Sequence, residues 1–316
     1  LRYLAHGANV SPQEIVITSG AMEGLNLCLQ AVTKPGDLIA IESPTFYAGL
    51  QASERLGLKV IEIPSHPREG VSLEALEDVL RHHPVKACLF MLNFANPTGS
   101  VVPDARKRAL VDLLDRYELP LIEDDVYAEL HFDANPPLCS KSADAHGRVM
   151  HVSSFSKCLA PGYRIGWVAA GRYAEQVQRQ KLSTSIATTV PVQIALAEYL
   201  KQGGFDKHLR ALRRSLASQE AALVEAVEAH FPDGTRLARP RGGYFLWLEL
   251  PRIVDALRLH REALELGISI APGPIFSAKR EFGHCLRLNF GHPDLALRGD
   301  AVATLGRLIA AQLSRT

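Results

Sequence analysis

The sequence lacks the features that mark several large classes of protein. Its five cysteines are far apart and include no C-x-x-C pair, which argues against a disulfide framework and for a reducing compartment. The twelve histidines form no H-E-x-x-H or comparable cluster, so we expect no metal site. No apolar run approaches the roughly 20 residues of a membrane span, and no signal peptide opens the chain. These absences predict a cytoplasmic protein without a membrane partner.

The charge balance gives no indication of a polyanionic binding partner. The chain has 316 residues with 35 basic and 34 acidic side chains, a formal charge of +1 and 47% hydrophobic residues. Such values are ordinary for a globular protein with a sizeable core. Since no helix-turn-helix pattern is visible either, we expect no nucleic-acid contact by this chain itself. The chain enters its periodic pattern almost at once from Leu1, so we expect a further segment before it.

Short apolar runs alternate with amphipathic stretches up to about residue 185. The predicted strands are Ile15–Thr18, Leu38–Ile41, Lys59–Ile63, Ala87–Leu92, Leu119–Ile122, Val149–Ser153 and Ile165–Ala170. Helical patterns between them include Ala21–Val32, Leu73–Arg81 and Asp104–Tyr117. This alternation predicts an α/β fold with a mainly parallel, seven-stranded sheet sandwiched by helices in a large domain, residues 1–190. Residues 191–316, with long helices followed by short strands, predict connecting helices and a smaller α+β C-terminal domain.

One segment, VSSFSKCLAPGYRIG from Val152 to Gly166, combines a lysine at a strand end with an arginine seven residues later. A lysine that is desolvated near cations can act as an imine-forming nucleophile. The forked donors of an arginine suit a phosphate. Taken alone, however, the segment is more simply explained by a lysine that caps a strand and an arginine on the surface.

The segment resembles the active-site signature of class I/II aminotransferases, S-x-S-K followed by P-G-x-R-x-G. These are fold type I enzymes that use pyridoxal 5'-phosphate, so the resemblance implies that Lys157 forms an internal aldimine with the cofactor. Ser154 and Arg164 match positions that bind the cofactor phosphate. The turn before the helix at Gly20, Ala21 and Met22 matches a further phosphate-binding position, and its free N–H groups suit an anion.

Three more motifs follow the family order. IEDDVY matches D-x-x-Y, which assigns Asp124 to the pyridine nitrogen and Tyr127 to the phenolic oxygen O3'. NPTG assigns Asn96 to the same oxygen, although by itself it is only a turn sequence. ESPTFY places Phe46 where the family has a tyrosine stacked on the ring; Phe46 could also simply pack in the core.

Two late strands match the substrate side of the family site. CLRLNF places Arg287 in an otherwise apolar strand, where a buried arginine needs a partner. The resemblance implies a bidentate contact with a substrate carboxylate, and a structural ion pair is the alternative. The P-x-G-G strand places Tyr244 near the substrate.

Two functions remain open at this point. The chain resembles free-standing transaminases of the aminoadipate and kynurenine type, which exchange an amino acid for a 2-oxo acid. Segments such as TSIATTVPVQIALAEYL and SIAPGPIFSA are closer in texture to MocR-type regulators, in which a GntR-class DNA-binding domain precedes an aminotransferase-like, effector-sensing domain. Both interpretations imply an amino acid or amine ligand and a homodimer.

Overall fold

The computed structural model describes residues 2–292 and 294–314. Its strands are β1 Ile15–Thr18, β2 Leu38–Ser43, β3 Lys59–His66, β4 Gly70–Val71, β5 Val85–Phe90, β6 Leu121–Asp124, β7 Val149–Ser154, β8 Gly166–Ala169, β9 Arg236–Leu237, β10 Phe245–Glu249, β11 Ala271–Pro272 and β12 Cys285–Asn289. Its α-helices are α1 Arg2–Ala5, α2 Ala21–Val32, α3 Tyr47–Arg55, α4 Leu73–His82, α5 Asp104–Arg116, α6 Ala174–Thr184, α7 Val190–Lys201, α8 Gly204–His230, α9 Ala256–Glu265 and α10 Leu295–Leu313. None of these helices is both long and apolar enough to cross a bilayer.

The larger sheet has the strand order β1-β8-β7-β6-β5-β2-β3-β4. Its central strands β3, β2, β5, β6 and β7 run parallel, while β8 pairs antiparallel with both β7 and β1. Every residue of β6 and β7 is buried, as expected for parallel strands with helices on both faces. The carboxyl ends of β2, β5, β6 and β7 therefore meet at one edge of the sheet.

The smaller sheet is antiparallel, in the order β11-β12-β10-β9. Its apolar side chains pack with α8 and α10 in one hydrophobic cluster that also includes Tyr127 and Phe155 from the large sheet's loops. Local signals fix helix starts here and elsewhere. The Asp255 side chain accepts hydrogen bonds from the Leu257 and Arg258 backbones and so caps α9.

The α/β fold class predicted from the sequence is confirmed by this architecture, with one difference in strand count. The large sheet has eight strands, because the two-residue strand β4 turns back onto the end of β3. Strands this short carry no alternation to detect. The predicted domain boundary at residue 190 stays a prediction.

Candidate active site

Four loops leave the common carboxyl edge of the large sheet, and each carries at least one of the predicted site residues. Phe46 follows β2, Asn96 follows β5, Tyr127 follows β6 and Lys157 follows β7. Because parallel strands end on the same edge, residues more than a hundred positions apart in sequence become neighbours.

Lys157 lies in the turn directly after β7. The hydrogen bonds from Leu159 and Ala160 to the Phe155 carbonyl close this turn. The side chain is exposed, yet burial of the amine, followed by the positive charge of Arg287, lowers the pKa of Lys157. Asp124 opposes the shift and Arg164 adds to it, so all three predicted charged partners act on this amine.

Asp124 is the last residue of β6 and is buried. Its Oδ1 atom has no hydrogen-bond partner among the described residues. Burial, followed by the charge of the adjacent Asp125, raises the pKa of Asp124 to about 7. A buried carboxylate oxygen without a donor is costly, so this position suits a ligand that brings its own proton.

Arg287 of β12 reaches across to the β5 loop. Its Nη1 donates to Asn96 Oδ1 at 2.7 Å, so the Asn96 amide NH₂ is the group left to donate elsewhere. The guanidinium carbon lies 4.1 Å from the Phe245 ring centroid and 5.2 Å from that of Phe276. Arg287 Nε has no partner, and no carboxylate among the described residues lies within 4.0 Å of this guanidinium. Within the part of the chain that the structure describes, no ion pair therefore explains this arginine.

Tyr127 and Tyr244 are edge-to-face neighbours, with ring centroids 6.3 Å apart. Burial raises the pKa of Tyr127, so its hydroxyl stays protonated. The Tyr244 hydroxyl donates to the Lys157 carbonyl oxygen at 2.6 Å. This bond holds the lysine turn against the smaller sheet, while the predicted contact of Tyr244 with substrate stays a prediction.

A narrow cradle forms where Gly20 caps the start of α2. Arg164 donates to the Ser19 carbonyl oxygen at 3.2 Å and to Ser156 Oγ at 3.3 Å. A Cβ added at Gly20 would overlap the Arg164 guanidinium, with Cζ only 3.1 Å away. A Cβ added at Gly166 would lie 2.6 Å from the Gly20 carbonyl carbon. Only glycine fits at these two positions.

The other predicted phosphate ligands surround this cradle. Ala21 and Met22 are the first residues of α2, whose opening N–H groups have no intrahelical acceptor. Ser154 is buried at the end of β7, and its Oγ accepts from the Ser156 backbone at 3.4 Å. Phe46 immediately precedes α3, where its ring packs against Tyr47 with centroids 4.9 Å apart.

Sequence reasoning missed three residues of this site. Ser156 lies inside the signature segment and was available as a hydroxyl one position before the lysine. Phe245 comes directly after Tyr244 and begins β10. Because side chains alternate along a strand, it could have been predicted to point to the opposite face from Tyr244. Phe276, in the turn after β11, offered no signal because it reaches Arg287 only through tertiary packing.

A family model described as aminotransferase class I and II matches residues 2–299. The chain belongs to this family. Membership implies pyridoxal 5'-phosphate as the cofactor, in agreement with the expectation from the sequence. The chain is 47% identical over 312 residues to the HTH-type transcriptional regulator YdcR of Escherichia coli K12, covering 99% of this chain and 67% of that protein.

Two aminotransferases are also similar. Aromatic-amino-acid aminotransferase 1 of Thermococcus litoralis is 31% identical over 313 residues, covering 97% of this chain and 75% of that protein. The crystal structure of LysN, the α-aminoadipate aminotransferase of Thermus thermophilus, superposes with a TM-score of 0.92 at 30% identity. That match covers 98% of this chain and 80% of LysN, which was complexed with N-(5'-phosphopyridoxyl)-L-leucine. The chain spans about two thirds of YdcR and larger shares of both enzymes.

Proposed function

We propose that this chain binds pyridoxal 5'-phosphate covalently at Lys157 and uses it to react with the amine of an amino acid. One observation carries the proposal. The Lys157 amine lies in the field of Asp124 and Arg287, two groups of opposite charge. Each of them has a buried polar atom without a hydrogen-bond partner among residues 2–292 and 294–314. An unpaired acid suits the cofactor ring nitrogen, and an unpaired arginine suits the substrate carboxylate.

The residues present fit the cofactor. Asp124 would hold the ring nitrogen, and the free NH₂ of Asn96 together with Tyr127 would hold oxygen O3'. Phe46 would cover one face of the ring. The phosphate would be held by the set around the cradle: Gly20, Ala21, Met22, Ser154 and Arg164. The space that a Cβ at Gly20 would remove supports this assignment, since the backbone must approach a phosphate closely there.

When bound, pyridoxal phosphate supplies an aldehyde that binds amines and a ring that withdraws electrons from the substrate Cα. The chain's own residues supply orientation and proton transfer. Arg287 would bind the substrate carboxylate through its free donors and so fix the position of Cα. With its pKa lowered, the Lys157 amine gives up its proton more readily than an ordinary lysine, as a general base must.

We also propose a homodimer, as is typical of the family. Three apolar side chains on α6, on α7 and on the loop that joins them are strongly exposed: Leu182 at 66%, Ile194 at 65% and Ile186 at 75%. An adjacent apolar groove of about 480 Å³ is lined by residues that include Tyr163 and Tyr199. Exposed apolar side chains and an apolar groove of this kind support association. Sedimentation showing only monomer at micromolar concentration would contradict it.

For the biological role, we propose the effector-sensing domain of a MocR-type regulator. The identity to YdcR, 47%, exceeds the 31% to the Thermococcus aminotransferase, and this difference favours the regulator. In that role an amino acid or amine bound at Lys157 and Arg287 would shift the domain between conformations that an upstream DNA-binding domain senses. A free-standing transaminase, with a 2-oxo acid as second substrate, is the second candidate.

The deciding experiment is an absorbance spectrum of the cofactor-loaded chain before and after a panel of amino acids is added. Formation of pyridoxamine phosphate and a 2-oxo acid would establish half-transamination and favour the enzyme. A shifted cofactor band without product would favour the sensor. The Lys157→Ala variant is the control, and a wild-type spectrum identical to that of Lys157→Ala would refute the proposed function.

A further inference from the structure

A series of hydrogen bonds, called the relay below, lies behind the site and connects helix α1 with the acids at the end of β6. Trp167 Nε1 donates to the Tyr3 hydroxyl at 2.8 Å, and that hydroxyl lies 2.9 Å from His151 Nδ1. The other ring nitrogen, His151 Nε2, lies 2.9 Å from Asp125 Oδ2. His151 and Asp125 are buried, and Trp167 and Tyr3 are partly buried. None of these four residues is among those assigned to contact the cofactor or the substrate.

The donor groups fix the direction of hydrogen bonding along the relay. An indole N–H can only donate, so the Tyr3 oxygen accepts from Trp167 and has its own proton to give to His151 Nδ1. Burial raises the pKa of Tyr3 well above its ordinary value, which keeps that proton on the phenol. A neutral His151 that accepts at Nδ1 carries its proton on Nε2 and donates it to Asp125. Bonds aligned in one direction polarise and strengthen each other.

Asp125 meets further groups from the neighbouring elements. The Asn93 amide donates to Asp125 Oδ2 at 3.3 Å, and Lys107 Nζ donates to Asn93 Oδ1 at 2.7 Å. The acids of β6 and His6 also face it. Burial alone would raise the pKa of Asp125, but the hydrogen bond from His151 and the positive charge of Lys107 hold it below the ordinary value. The relay therefore keeps Asp125 in its carboxylate form.

Asp124 and Asp125 project to opposite faces of the sheet, because successive residues of an extended strand alternate. The sheet face that carries Asp124 is covered by α2, because Gly24 of this helix lies so close that an added Cβ would contact Val168 and Val152. Val152 is the register partner of Asp124. The opposite side carries His151 and is covered by Tyr3 of α1. The negative charge of Asp125 makes Asp124 a better proton acceptor toward whatever lies against its free Oδ1.

We propose that Trp167, Tyr3 and His151 are positioning residues that keep Asp125 ionised and so strengthen the hold of Asp124 on the ring nitrogen of pyridoxal phosphate. Helix α1 thereby becomes part of the cofactor site, although none of its residues is among the proposed cofactor contacts. This inference rests on the proposed function. By thermodynamic reciprocity, whatever breaks the Tyr3–His151 hydrogen bond weakens the ring-nitrogen contact, and whatever binds that nitrogen strengthens this hydrogen bond.

The test compares two ligands that differ in one atom. Pyridoxal phosphate and its 1-deaza analogue, which has carbon in place of the ring nitrogen, are titrated onto wild type and Tyr3→Phe. Tyr3→Phe removes one hydroxyl from the relay, so its Kd for pyridoxal phosphate should rise, by at most the roughly tenfold that a whole hydrogen bond of ordinary strength contributes. Its Kd for the deaza analogue should stay unchanged. Trp167→Phe, which lies on β8, should change the ratio of the two Kd values in the same direction.

Arg2→Gln is the matched control. It removes the contacts of Arg2 with Glu129 and Asp206, which dock the same helix, without touching the relay. It should leave the ratio of the two Kd values at the wild-type value. Equal weakening of both ligands by Tyr3→Phe would mean that Tyr3 only docks the helix, and would overturn the inference while leaving the proposed function intact.

A measurement on the cofactor-free chain tests the direction of the relay separately. Histidine side-chain nitrogen NMR should assign the His151 proton to Nε2, and a proton on Nδ1 would overturn the relay. Failure of the wild type to bind either ligand would instead overturn the proposed function, and this inference with it.

Discussion

Replacing Gly20 by alanine tests the phosphate cradle most sharply. Gly20 has φ +89° and ψ 169°, a region that only glycine adopts readily. Holding alanine there costs about 1–3 kcal/mol of folding free energy. The added Cβ would also overlap the Arg164 guanidinium and displace it from its contacts with Ser19 and Ser156. Gly20→Ala should therefore lower stability and weaken phosphate binding together.

Gly36→Ala separates the two effects. Gly36 has a similar φ of +92°, but an added Cβ would meet nothing within 4 Å. Both variants should lose stability in urea unfolding. Only Gly20→Ala should raise the Kd for pyridoxal phosphate, by about tenfold or more, since a hydrogen bond to a charged group contributes about 1.5–3 kcal/mol. Pyridoxal, which lacks the phosphate, should bind wild type and Gly20→Ala equally. Unchanged affinity of Gly20→Ala for pyridoxal phosphate would refute the cradle.

Three other perturbations test separate parts of the account. Arg287→Gln should raise the half-saturating concentration of amino acids about tenfold or more by removing a charged hydrogen bond, while amines without an α-carboxylate lose nothing; equal losses would contradict the assigned contact. The rate at which pyridoxal phosphate attaches to Lys157 should rise with pH through a midpoint below the ordinary lysine value of about 10.4, and a midpoint at that value would be contrary to the lowered pKa. Burial of Glu129 is outweighed by hydrogen bonds from His6 and Arg2, which lower its pKa to about 2. Its stabilising effect is thus present above its ordinary pKa and lost as pH falls toward 2. Glu129→Gln should cost about 1–3 kcal/mol at pH 7 and the gap in urea unfolding should close in acid; a constant gap would count against the ion pairs.

Much of the fold follows from local patterns. The buried strands and the amphipathic α2 and α5 are close to their predicted bounds, because apolar runs and helical periodicity are strong signals over ten residues. Helices α3 and α6 were not predicted. The first has only nine residues, and the second is mostly polar with Leu182 left exposed, so the helical signal is short in one and weak in the other.

The candidate site likewise has some residues that local motifs predict and some contacts that arise only from tertiary packing. Motifs placed Lys157 and Asp124 at strand ends, since a short segment carries both the residue and its local structure. The contact between Arg287 and Asn96 joins residues 191 positions apart, and no local pattern encodes it. Tyr3 gave no signal at all, because an isolated tyrosine in a four-residue helix reaches His151 only after the chain has folded.

The central claim is that Lys157 holds the cofactor. The most direct measurement is to incubate the purified chain with pyridoxal 5'-phosphate, reduce it with borohydride, and locate the modified lysine by peptide mass spectrometry. We predict one stoichiometric adduct on the peptide that contains Lys157, and none there in Lys157→Arg. Absence of an adduct, or adducts spread over exposed lysines with Lys157 unmodified, would contradict it.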